Sequence, residues 1–434
     1  MKLSSLEIAE ACGVKERQKG GAGRVVTDTR KLRPGDWFLA LKGPNFDGNT
    51  LADQAREKDC AGAVLEHAPR GWDRGLVVVE DGLVALQDCA RAIRRGFGGP
   101  VVGITGSSGK TTTRAMVASV LSQRFSTHQT SGNLNNHIGV PLSLLEISEN
   151  TEFAVIEMGA NHIGEIELLS KIVEPNYAYI TNFGKAHLEG FGSEEGVIKG
   201  KSELYEFIME SSGFIFYNSD DEKQKHILSN YKNKFGFGKE ASDLNYLVKA
   251  ENPNIIIEVK NNIFKSTLFG NYNIPNVISA ISIGIFLDVP IEKVKNGISD
   301  YISKNNRSQV LKINSNNIIL DAYNANPSSM LSAIKAFQNA ELENKVLILG
   351  DMFELGSDEN KFHQEIVDYC NNLDIERVFL VGEIFSKTNY SNKFISYHNY
   401  IELSNNKKFK EIKHSSLLIK GSRGVELEKI LDYI

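Results

Sequence analysis

The 434-residue chain is long enough for two to four domains, and its composition, 41% hydrophobic and 24% charged, is that of a globular protein with a large core. Its formal net charge of −5 and the lack of a basic block argue against binding to nucleic acid. The first residues, MKLSSLEIAEACG, are too polar for a signal peptide, and no run approaches about 18 apolar residues. We therefore expect a cytoplasmic protein with no membrane insertion.

Two further features of the composition bear on origin and compartment. Cys12, Cys60, Cys89 and Cys370 lie far apart and form no CxxC pair, which indicates reduced thiols. Twelve of the fifteen arginines lie within residues 1–124, a stretch that holds only two asparagines. Because exchange of Arg for Lys on a surface costs little, we hypothesise that two lineages were joined near residue 124. Uniform codon usage on both sides would refute this.

Residues 1–99 alternate short strands with helices. The apolar runs GDWFLAL, GAVLEH and GLVVVED predict strands, and LADQAREKD and ALQDCARAIRRGF have the apolar spacing of helices. The glycine-rich GFGGP at residues 96–100 is typical of a linker. We expect this first segment to be a smaller α/β domain.

Residues 100–309 continue the alternation. VVGIT, FAVIEM, YAYITNF and GFIFYN predict strands, and EEGVIKGKSELYEFIM predicts a helix. NIIIEVKNNIFKSTLF has the pattern of a hairpin that turns at Asn261 and Asn262. We expect a central domain with a parallel sheet.

Residues 310–434 begin a third alternation. NIILD, KVLILG, RVFLVG and SLLIKGS predict strands, and SSMLSAIKAF, FHQEIVDYC and VELEKIL predict helices. Strands that alternate with helices imply parallel sheets with crossover helices. The predicted fold class is therefore α/β with three domains: a smaller N-terminal α/β domain, a central parallel-sheet domain of the phosphate-loop ATPase type, and a C-terminal Rossmann-like domain.

The stretch GITGSSGKTT at residues 103–112 follows a predicted buried strand and opens a predicted helix. The usual phosphate loop has Gly, four residues and then Gly-Lys-Ser/Thr, but here Ile104 occupies the place of the first Gly. Gly106 and Gly109 can still adopt positive φ, and the helix N-terminus can bind an anion. We predict an ATP or GTP site in which Lys110 reaches the terminal phosphates and Thr111 binds Mg²⁺. A glycine- and serine-rich turn with no ligand is the alternative.

Three more side chains of the central segment are candidates for chemistry. Glu157 ends a predicted strand, where a carboxylate could bind Mg²⁺ or simply be solvated. His187 follows the next strand and could hold a second metal or be a structural loop histidine. Lys201 lies on a predicted helix, where an exposed lysine is the ordinary expectation.

Polar groups also end several strands of the third segment. LDAYNANPSS places Asp321, Asn324 and Asn326 at a strand end, where they could recognise ribose or phosphate or could form a capped turn, and Pro327 is suited to open a helix. ILGDMFELG and LIKGSRG end two further strands in the same way. Polar side chains at several strand ends therefore predict a cleft between domains.

Taken together, these stretches resemble the Mur ligase family of peptidoglycan-building amide ligases. GITGSSGKTT is similar to that family's own phosphate loop, TGxxGKT, so Ile104 is no defect. Seven further stretches resemble the branch of that family that adds D-alanyl-D-alanine. They are TSGNLNNHIGVPLSLL, EMGANHIGEI, NFGKAHLEGFGS, KSEL, DAYNANPSSM, LGDMFELG and KGSRG. TDTRKLRPGDWFLALKGPNFDGNT resembles the family's UDP-binding first domain, and the DNPR motif of the diaminopimelate- or lysine-adding relatives is absent.

The resemblance implies a monomeric cytoplasmic ligase with ATP and Mg²⁺ as cofactors and with UDP-N-acetylmuramoyl-tripeptide and D-alanyl-D-alanine as substrates. ATP would phosphorylate the tripeptide carboxylate, and the dipeptide amine would attack the acyl phosphate. The domains would be residues 1–99 for the UDP end, 100–309 for ATP, and 310–434 for closure over ATP and for D-alanyl-D-alanine. Whether the third peptide residue is diaminopimelate or lysine stays open.

The resemblance also implies roles for individual residues. The catalytic set is Lys110, His187 and Lys201. The metal ligands are Thr111, Glu157, His187 and, if it carries a carbamate formed with CO₂, Lys201. ATP would contact Gly106, Ser107, Ser108, Gly109, Lys110, Thr111, Thr112, Asn273, Asn276, Arg307, Asp321, Asn324 and Asn326. The substrates would contact Thr29, Arg30, Asn133, Asn135, Asn136, Asp351, Lys420, Ser422 and Arg423. Tyr272 stands where many relatives have His, so the adenine contacts can differ.

Two other functions remain as alternatives. Another ATP-dependent amide ligase, such as folylpolyglutamate synthase, lacks this type of UDP-binding first domain, so residues 1–99 discriminate between them. A regulatory or transport module with a phosphate loop would bind ATP without ligation. It would need neither His187 and Lys201 nor a third domain with DAYNANP.

Overall fold

In the described part of the chain, three large β-sheets follow one another, each with its own helices. The computed structural model describes residues 1–184, 187–251, 254–375 and 377–434. Across those ranges, no helix combines the length and the apolar character needed to cross a membrane. The predicted α/β class with three domains is confirmed.

The first sheet has five strands and is parallel except at one edge. Its elements in chain order are α1 (Ser5–Ala11), β1 (Glu16–Gln18), β2 (Val25–Val26), β3 (Trp37–Leu39), β4 (Lys42–Gly43), β5 (Phe46–Asp47), α2 (Ala52–Glu57), β6 (Gly62–Leu65), β7 (Gly75–Val78) and α3 (Gly82–Gly96). The strand order is β1-β7-β6-β3-β2, with β1 antiparallel to β7, while β4 and β5 form a separate hairpin.

The Trp37 ring forms the centre of this first sheet and explains three of its glycines. The ring is fully buried, and its Nε1 donates to the Gly21 carbonyl oxygen at 2.8 Å. A Cβ placed on Gly20, Gly62 or Gly75 would lie 2.4–2.6 Å from a ring atom. Only glycine fits at these positions because close-packed interiors leave no space for the extra carbon.

The central sheet has nine strands. Its elements are β8 (Val101–Thr105), α4 (Lys110–Leu121), β9 (Thr127–Gln129), α5 (Gly139–Leu145), β10 (Phe153–Glu157), α6 (Glu165–Val173), β11 (Tyr177–Ile180), α7 (Leu188–Phe191), α8 (Glu194–Glu210), β12 (Phe214–Asn218), α9 (Glu222–Ile227), β13 (Lys234–Gly238), β14 (Leu244–Ala250), β15 (Ile255–Val259), β16 (Asn262–Ser266), α10 (Ile274–Phe286) and α11 (Ile291–Ser299). The order is β16-β15-β14-β13-β12-β11-β8-β10-β9, parallel from β9 to β14 and antiparallel at β15 and β16.

The predicted hairpin is present, but its turn lies one residue earlier than expected. Val259 pairs with Asn262, so the loop consists of Lys260 and Asn261, both with positive φ. Such a two-residue loop matches the twist of the flanking strands. The expected turn at Asn261 and Asn262 is therefore wrong by one position.

The third sheet has six strands. Its elements are β17 (Gln309–Ile313), β18 (Asn316–Asp321), α12 (Pro327–Asn339), β19 (Lys345–Gly350), α13 (Glu359–Asn371), β20 (Arg377–Val381), β21 (Phe394–Tyr397), α14 (Tyr400–Asn405), α15 (Lys407–Lys410) and β22 (Ser416–Lys420). The order is β17-β18-β22-β19-β20-β21, and only β17 is antiparallel to its neighbour. Pro327 opens α12 as predicted, whereas VELEKIL forms a 3-10 helix, Leu427–Tyr433, rather than an α-helix.

A buried arginine joins the first segment to the central sheet. Arg94, in the last turn of α3, donates to the carbonyl oxygens of Val173 (2.7 Å) and Glu174 (2.8 Å) and to Asn176 Oδ1 (2.9 Å). Burial lowers the pKa of the Arg94 guanidinium, but these acceptors satisfy its N–H groups. The first and central domains are therefore connected by specific hydrogen bonds from Arg94 as well as by the glycine-rich linker.

Candidate active site

The predicted phosphate loop forms at the carboxyl end of β8. Gly106 and Gly109 have φ of 138° and 81°, as the loop requires of residues without a Cβ. Ser107 Oγ donates to the Gly184 carbonyl oxygen at 2.8 Å, and Asn182 Oδ1 accepts from Ser108 N at 3.1 Å. The loop is thus held by the segment that follows β11, and the N-terminus of α4 beside it can bind an anion.

Lys110 lies across this loop and near a second cation. Its Nζ donates to the carbonyl oxygens of Gly106 at 2.7 Å and Ser107 at 3.2 Å. Burial lowers the pKa of Lys110, nearby Glu157 raises it, and Arg307 lowers it again. Arg307 comes from the connection before β17, so two positive groups from opposite walls meet here. Converging cations are suited to a ligand with several negative charges.

Glu157 ends β10 at the bottom of the loop and is buried. Its Oε1 accepts from Thr111 Oγ1 at 3.1 Å and from Asn135 Nδ2 at 2.8 Å. Its Oε2 lies 3.3 Å from Arg114 Nε without hydrogen-bond geometry. A hydroxyl and a carboxylate beside a phosphate loop are a suitable donor set for Mg²⁺, which takes few protein ligands and completes its shell with phosphate and water. Thr111 and Glu157 therefore fit that ion.

The second metal site expected at His187 and Lys201 is not preformed by carboxylates. Within the described ranges, no group of three or more His, Cys, Asp or Glu side chains is arranged to hold a metal ion. His187 Nδ1 lies against the Glu354 carboxylate of the third domain. Burial and the charge of Lys110 lower the pKa of His187, while Glu354 raises it. His187 is thus a link between two domains in this structure.

Lys201 is fully buried on α8, and the expectation of an exposed surface lysine is wrong. Its Nζ donates to the Ala160 carbonyl oxygen at 2.8 Å and lies 4.8 Å from the centre of the Phe191 ring. Burial, and secondarily Lys110, hold the pKa of Lys201 well below its usual value. Burial therefore favours the neutral amine of Lys201, which is the form that reacts with CO₂. A buried lysine without a carboxylate partner is costly unless it has a special function.

The amides expected on the adenine side connect α10 to the phosphate loop. Asn276 Oδ1 accepts from Thr113 Oγ1 at 3.0 Å, and Asn276 Nδ2 donates to Asn273 Oδ1 at 2.8 Å. A Cβ on Gly109 would lie 2.6 Å from Asn276 Oδ1. Tyr272, the departure from the family pattern, has its hydroxyl 3.0 Å from Ser308 Oγ. It therefore connects the central domain to the segment that carries Arg307.

The wall opposite the phosphate loop is made by the third domain. Asp321 Oδ1 accepts from Ser308 N at 2.9 Å, and Asp321 Oδ2 lies 2.5 Å from Lys420 Nζ. Asn326 caps α12 and also donates through Nδ2 to Ser108 Oγ at 3.3 Å. Asn324 is exposed beside them. The predicted cleft between domains is confirmed.

One cavity of about 1000 Å³ unites most of the predicted residues. Its lining includes Ser107, Ser108, Gly109, Lys110, Thr111, Thr112, Asn133, Asn135, Asn136, Glu157, His187, Asn273, Asn276, Arg307, Asp321, Asn324, Asn326 and Lys420. Gly106 contributes its carbonyl oxygen just behind this lining, and Lys201 lies below Ala160, which belongs to it.

Five predicted substrate residues lie outside that lining. Thr29 and Arg30 belong to the first domain, where Arg30 pairs with Asp28. Asp351 is buried, and its carboxylate accepts from Ile384 N and Phe385 N at 2.9 Å each. In this structure the Asp351 carboxylate holds the connection after β20, and its contact with a substrate stays a prediction. Ser422 and Arg423 follow the end of β22, close in sequence to Lys420.

Several residues in or beside the site were not predicted from the sequence, among them Arg114, Asn182, Tyr323 and Glu354. Arg114 lies four residues after Lys110 on α4, and an arginine on a buried helix face was the available signal. Asn182 was available as the amide in YITNF. Glu354 and Tyr323 lie on turns of the third domain and contact His187 and Arg307, which are distant in sequence. No local pattern indicated these contacts. Together with the loop and the two cations, these features define a phosphate-loop enzyme that binds a nucleotide between two domains.

Comparison with known proteins agrees with this geometry. The Mur ligase middle domain matches residues 104–284, and the Mur ligase, glutamate ligase domain matches residues 306–409. The chain is 36% identical over 433 residues to UDP-N-acetylmuramoyl-tripeptide–D-alanyl-D-alanine ligase from Bacillus subtilis strain 168, with 94% of this chain and 92% of that protein covered.

Two solved structures are similar over nearly the whole chain. MurF from Acinetobacter baumannii (crystal structure I) has a TM-score of 0.89 at 30% identity and covers 100% of this chain and 98% of its own. MurF from Thermotoga maritima in complex with ADP has a TM-score of 0.83 at 29% identity and covers 95% and 96%. The chain belongs to the Mur ligase family. It is an ATP-dependent ligase of peptidoglycan precursor synthesis, so a regulatory or transport module is excluded.

Proposed function

We propose that this ligase joins D-alanyl-D-alanine to UDP-N-acetylmuramoyl-tripeptide and converts ATP to ADP and phosphate. The observation that carries the proposal is the single cavity between the central and third domains. Lys110 and Arg307 meet at its phosphate end, and Asn133, Asn135 and Asn136 line the same cavity. One space can thus hold a nucleotide together with a second substrate. The relatives' names supply the identity of the substrates.

The first half of the reaction activates the tripeptide carboxylate. ATP is needed because a carboxylate is a poor electrophile and hydroxide is a poor leaving group. The γ-phosphoryl group passes to the carboxylate, and negative charge is spread over its oxygens. Lys110 and Arg307 are placed to stabilise that charge. The amine of D-alanyl-D-alanine then attacks the acyl phosphate, and the tetrahedral intermediate collapses to the amide and phosphate.

Mg²⁺ is the second proposed cofactor. Thr111 and Glu157 would hold it, because their oxygens are adjacent at the base of the phosphate loop. When bound, the ion would neutralise part of the phosphate charge. Asn135 and Arg114 hold the Glu157 carboxylate in place from two sides.

Lys201 and His187 are proposed to serve a second ion. Because burial favours the neutral amine of Lys201, CO₂ can add to it and convert a cation-forming group into a carbamate anion. That anion would lie at the buried side of the cavity, next to Ala160. His187 lies within range of the Lys201 charge, lines the same cavity and contacts Glu354.

The three domains would divide the substrates among them. We propose residues 1–99 for the UDP end, with Thr29 and Arg30, residues 100–309 for ATP, and residues 310–434 for D-alanyl-D-alanine and closure. Lys420, Ser422 and Arg423, at the end of β22, would contact the dipeptide. The proposed enzyme is a cytoplasmic monomer.

The test is release of phosphate by the purified protein with ATP and Mg²⁺. Release should depend on UDP-muramoyl-tripeptide and D-alanyl-D-alanine together, and mass spectrometry should show the pentapeptide product. Folate with glutamate serves as the control for a folylpolyglutamate synthase. Phosphate release that needs only one of the two substrates, or product formed with folate and glutamate, would overturn the proposal.

A further inference from the structure

One tyrosine ring of the third domain has two guanidinium groups beside it. The Cζ atom of Arg307 lies 3.6 Å from the centre of the Tyr323 ring, and that of Arg423 lies 5.5 Å from it. Tyr323 follows β18 in the DAYNANP stretch and lines the cavity, as Arg307 does. A guanidinium stacked on an aromatic face gains cation–π attraction while its N–H groups stay free at the edge.

Arg307 belongs to a backbone segment in an uncommon conformation. Asn305, Asn306 and Ser308 have φ of 59°, 58° and 47°, which non-glycine residues rarely adopt. Contacts on both sides maintain the segment: Tyr323 N donates to the Asn306 carbonyl oxygen at 3.1 Å, and Ser308 N donates to Asp321 Oδ1 at 2.9 Å. Such backbone conformations persist only where the surroundings determine them, and they are frequent at ligand sites.

Two other cations lie within range of the Arg307 charge. Arg307 lowers the pKa of Lys110 and also that of Arg114, so it faces two other cations. Glu157 lies near both of those cations but already accepts from Thr111 and Asn135. Without an attractive contact of its own, a long and flexible guanidinium would move into solvent before ATP binds. The Tyr323 ring supplies that contact at 3.6 Å.

We propose that Tyr323 is a positioning residue for ATP, whose ring holds the Arg307 guanidinium at the phosphate end of the cavity before the nucleotide arrives. It acts through Arg307 and not by touching the nucleotide itself. The contact is made by the face of the Tyr323 ring, so the Tyr323 hydroxyl is not required for it. The inference rests on the proposed function only in that the cavity takes ATP; it needs neither the muramoyl-tripeptide nor the dipeptide.

The experiment measures binding of the non-hydrolysable analogue AMP-PNP with Mg²⁺ by calorimetry. Tyr323→Leu should weaken binding about 2- to 30-fold, the range of one cation–π contact. Tyr323→Phe should bind within about twofold of the unmodified protein, because it keeps the ring. Tyr323→Met offers a second, unbranched replacement if Tyr323→Leu folds poorly. Melting temperature shows whether each variant is folded.

A double-mutant cycle separates positioning from direct contact. In an Arg307→Gln background, Tyr323→Leu should have no further effect, because there is no guanidinium left to hold. Tyr369→Leu is the matched control. The Tyr369 ring, on α13, also has a cation beside it, the Lys335 ammonium group, but Tyr369 does not line the cavity. This variant should bind AMP-PNP normally.

Two results would overturn the proposal. One is an equal loss on Tyr323→Leu with and without Arg307, which would mean that the ring contacts the nucleotide. The other is a loss in Tyr323→Phe as large as in Tyr323→Leu. Failure of the ligation reaction with unchanged AMP-PNP binding would count against the proposed substrates and leave this inference standing.

Discussion

The two walls of the nucleotide cavity are built differently. On the central wall, Lys110, Thr111 and Glu157 come from one strand–loop–helix unit and its neighbouring strand, and the Thr111–Glu157 contact is buried. On the third-domain wall, Tyr323, Asn324 and Glu354 lie on turns, and Asn324 and Glu354 are exposed. The difference indicates that the phosphate side is formed within one domain. The opposite side is complete only when the third domain is docked.

The largest expected effect comes from removing the central cation. Lys110→Ala should lower kcat/KM about 1000-fold or more, because no other residue of the central loop supplies positive charge to the phosphates. The melting temperature should change little, since Lys110 makes its hydrogen bonds only to its own loop. Steady-state kinetics and thermal unfolding check both statements. A folded variant with near-normal turnover would refute the assigned role.

The next effect concerns the buried ion pair of the third-domain wall. Lys420 is 2% exposed and its partner Asp321 is 14% exposed. Lys420→Met should lower the free energy of unfolding by about 3 kcal/mol, because it leaves a largely buried carboxylate unpaired. The double variant Lys420→Met/Asp321→Asn is the control and should recover part of the loss. Denaturant unfolding that shows the single and double variants to be equally stable would contradict this.

A smaller effect is expected for Lys201, behind the central wall. Lys201→Ala should lower kcat roughly 10- to 100-fold, the range for damaged metal sites. Activity should return in part with bicarbonate plus a small carboxylate, such as formate, that can enter the vacated space. Lys199→Ala, an exposed lysine on the same helix, is the matched control. Full activity of Lys201→Ala would show that its burial serves only packing.

The smallest effect should come from the contact that joins the walls. Glu354→Gln removes the charge opposite His187 and should weaken closure of the third domain by about 1 kcal/mol or less, since Glu354 is half-exposed. Scattering with ATP analogue and muramoyl-tripeptide should show a more compact particle than without them. The variant should need more ligand for that change. Glu383→Gln, which loses a His398 pair inside the third domain, should behave as the unmodified protein.

The central wall was predictable from the sequence because its signals are local. Strand β8, the loop glycines and the start of α4 are adjacent in the chain, so the hydrophobic pattern and the Gly-Lys-Thr-Thr run place Lys110 and Thr111 directly. Glu157 follows from the rule that ligands gather at the carboxyl ends of parallel strands. Resemblance to the family then supplied Lys201, whose burial no local pattern indicated.

The third-domain wall was predicted only in part. Asp321 and Asn326 were found because DAYNANP ends a strand and opens a helix. The contacts of Glu354 with His187 and of Tyr323 with Arg307 depend on how turns from distant parts of the chain meet. Asp351 also ends a strand, but its carboxylate accepts from backbone N–H groups of its own domain, a use that the sequence did not indicate. Tertiary packing decides between these outcomes.

The buried tryptophan of the first sheet has a spectroscopic consequence. Trp37 and Trp72 are the only two tryptophans in the sequence, and both Nε1 atoms donate to carbonyl oxygens of the first domain. Tryptophan emission therefore reports on the first domain alone. A red shift during denaturation would mark the loss of the first sheet, while movement of the third domain would leave the spectrum unchanged. Optical measurements of closure need a fluorophore introduced beyond residue 310.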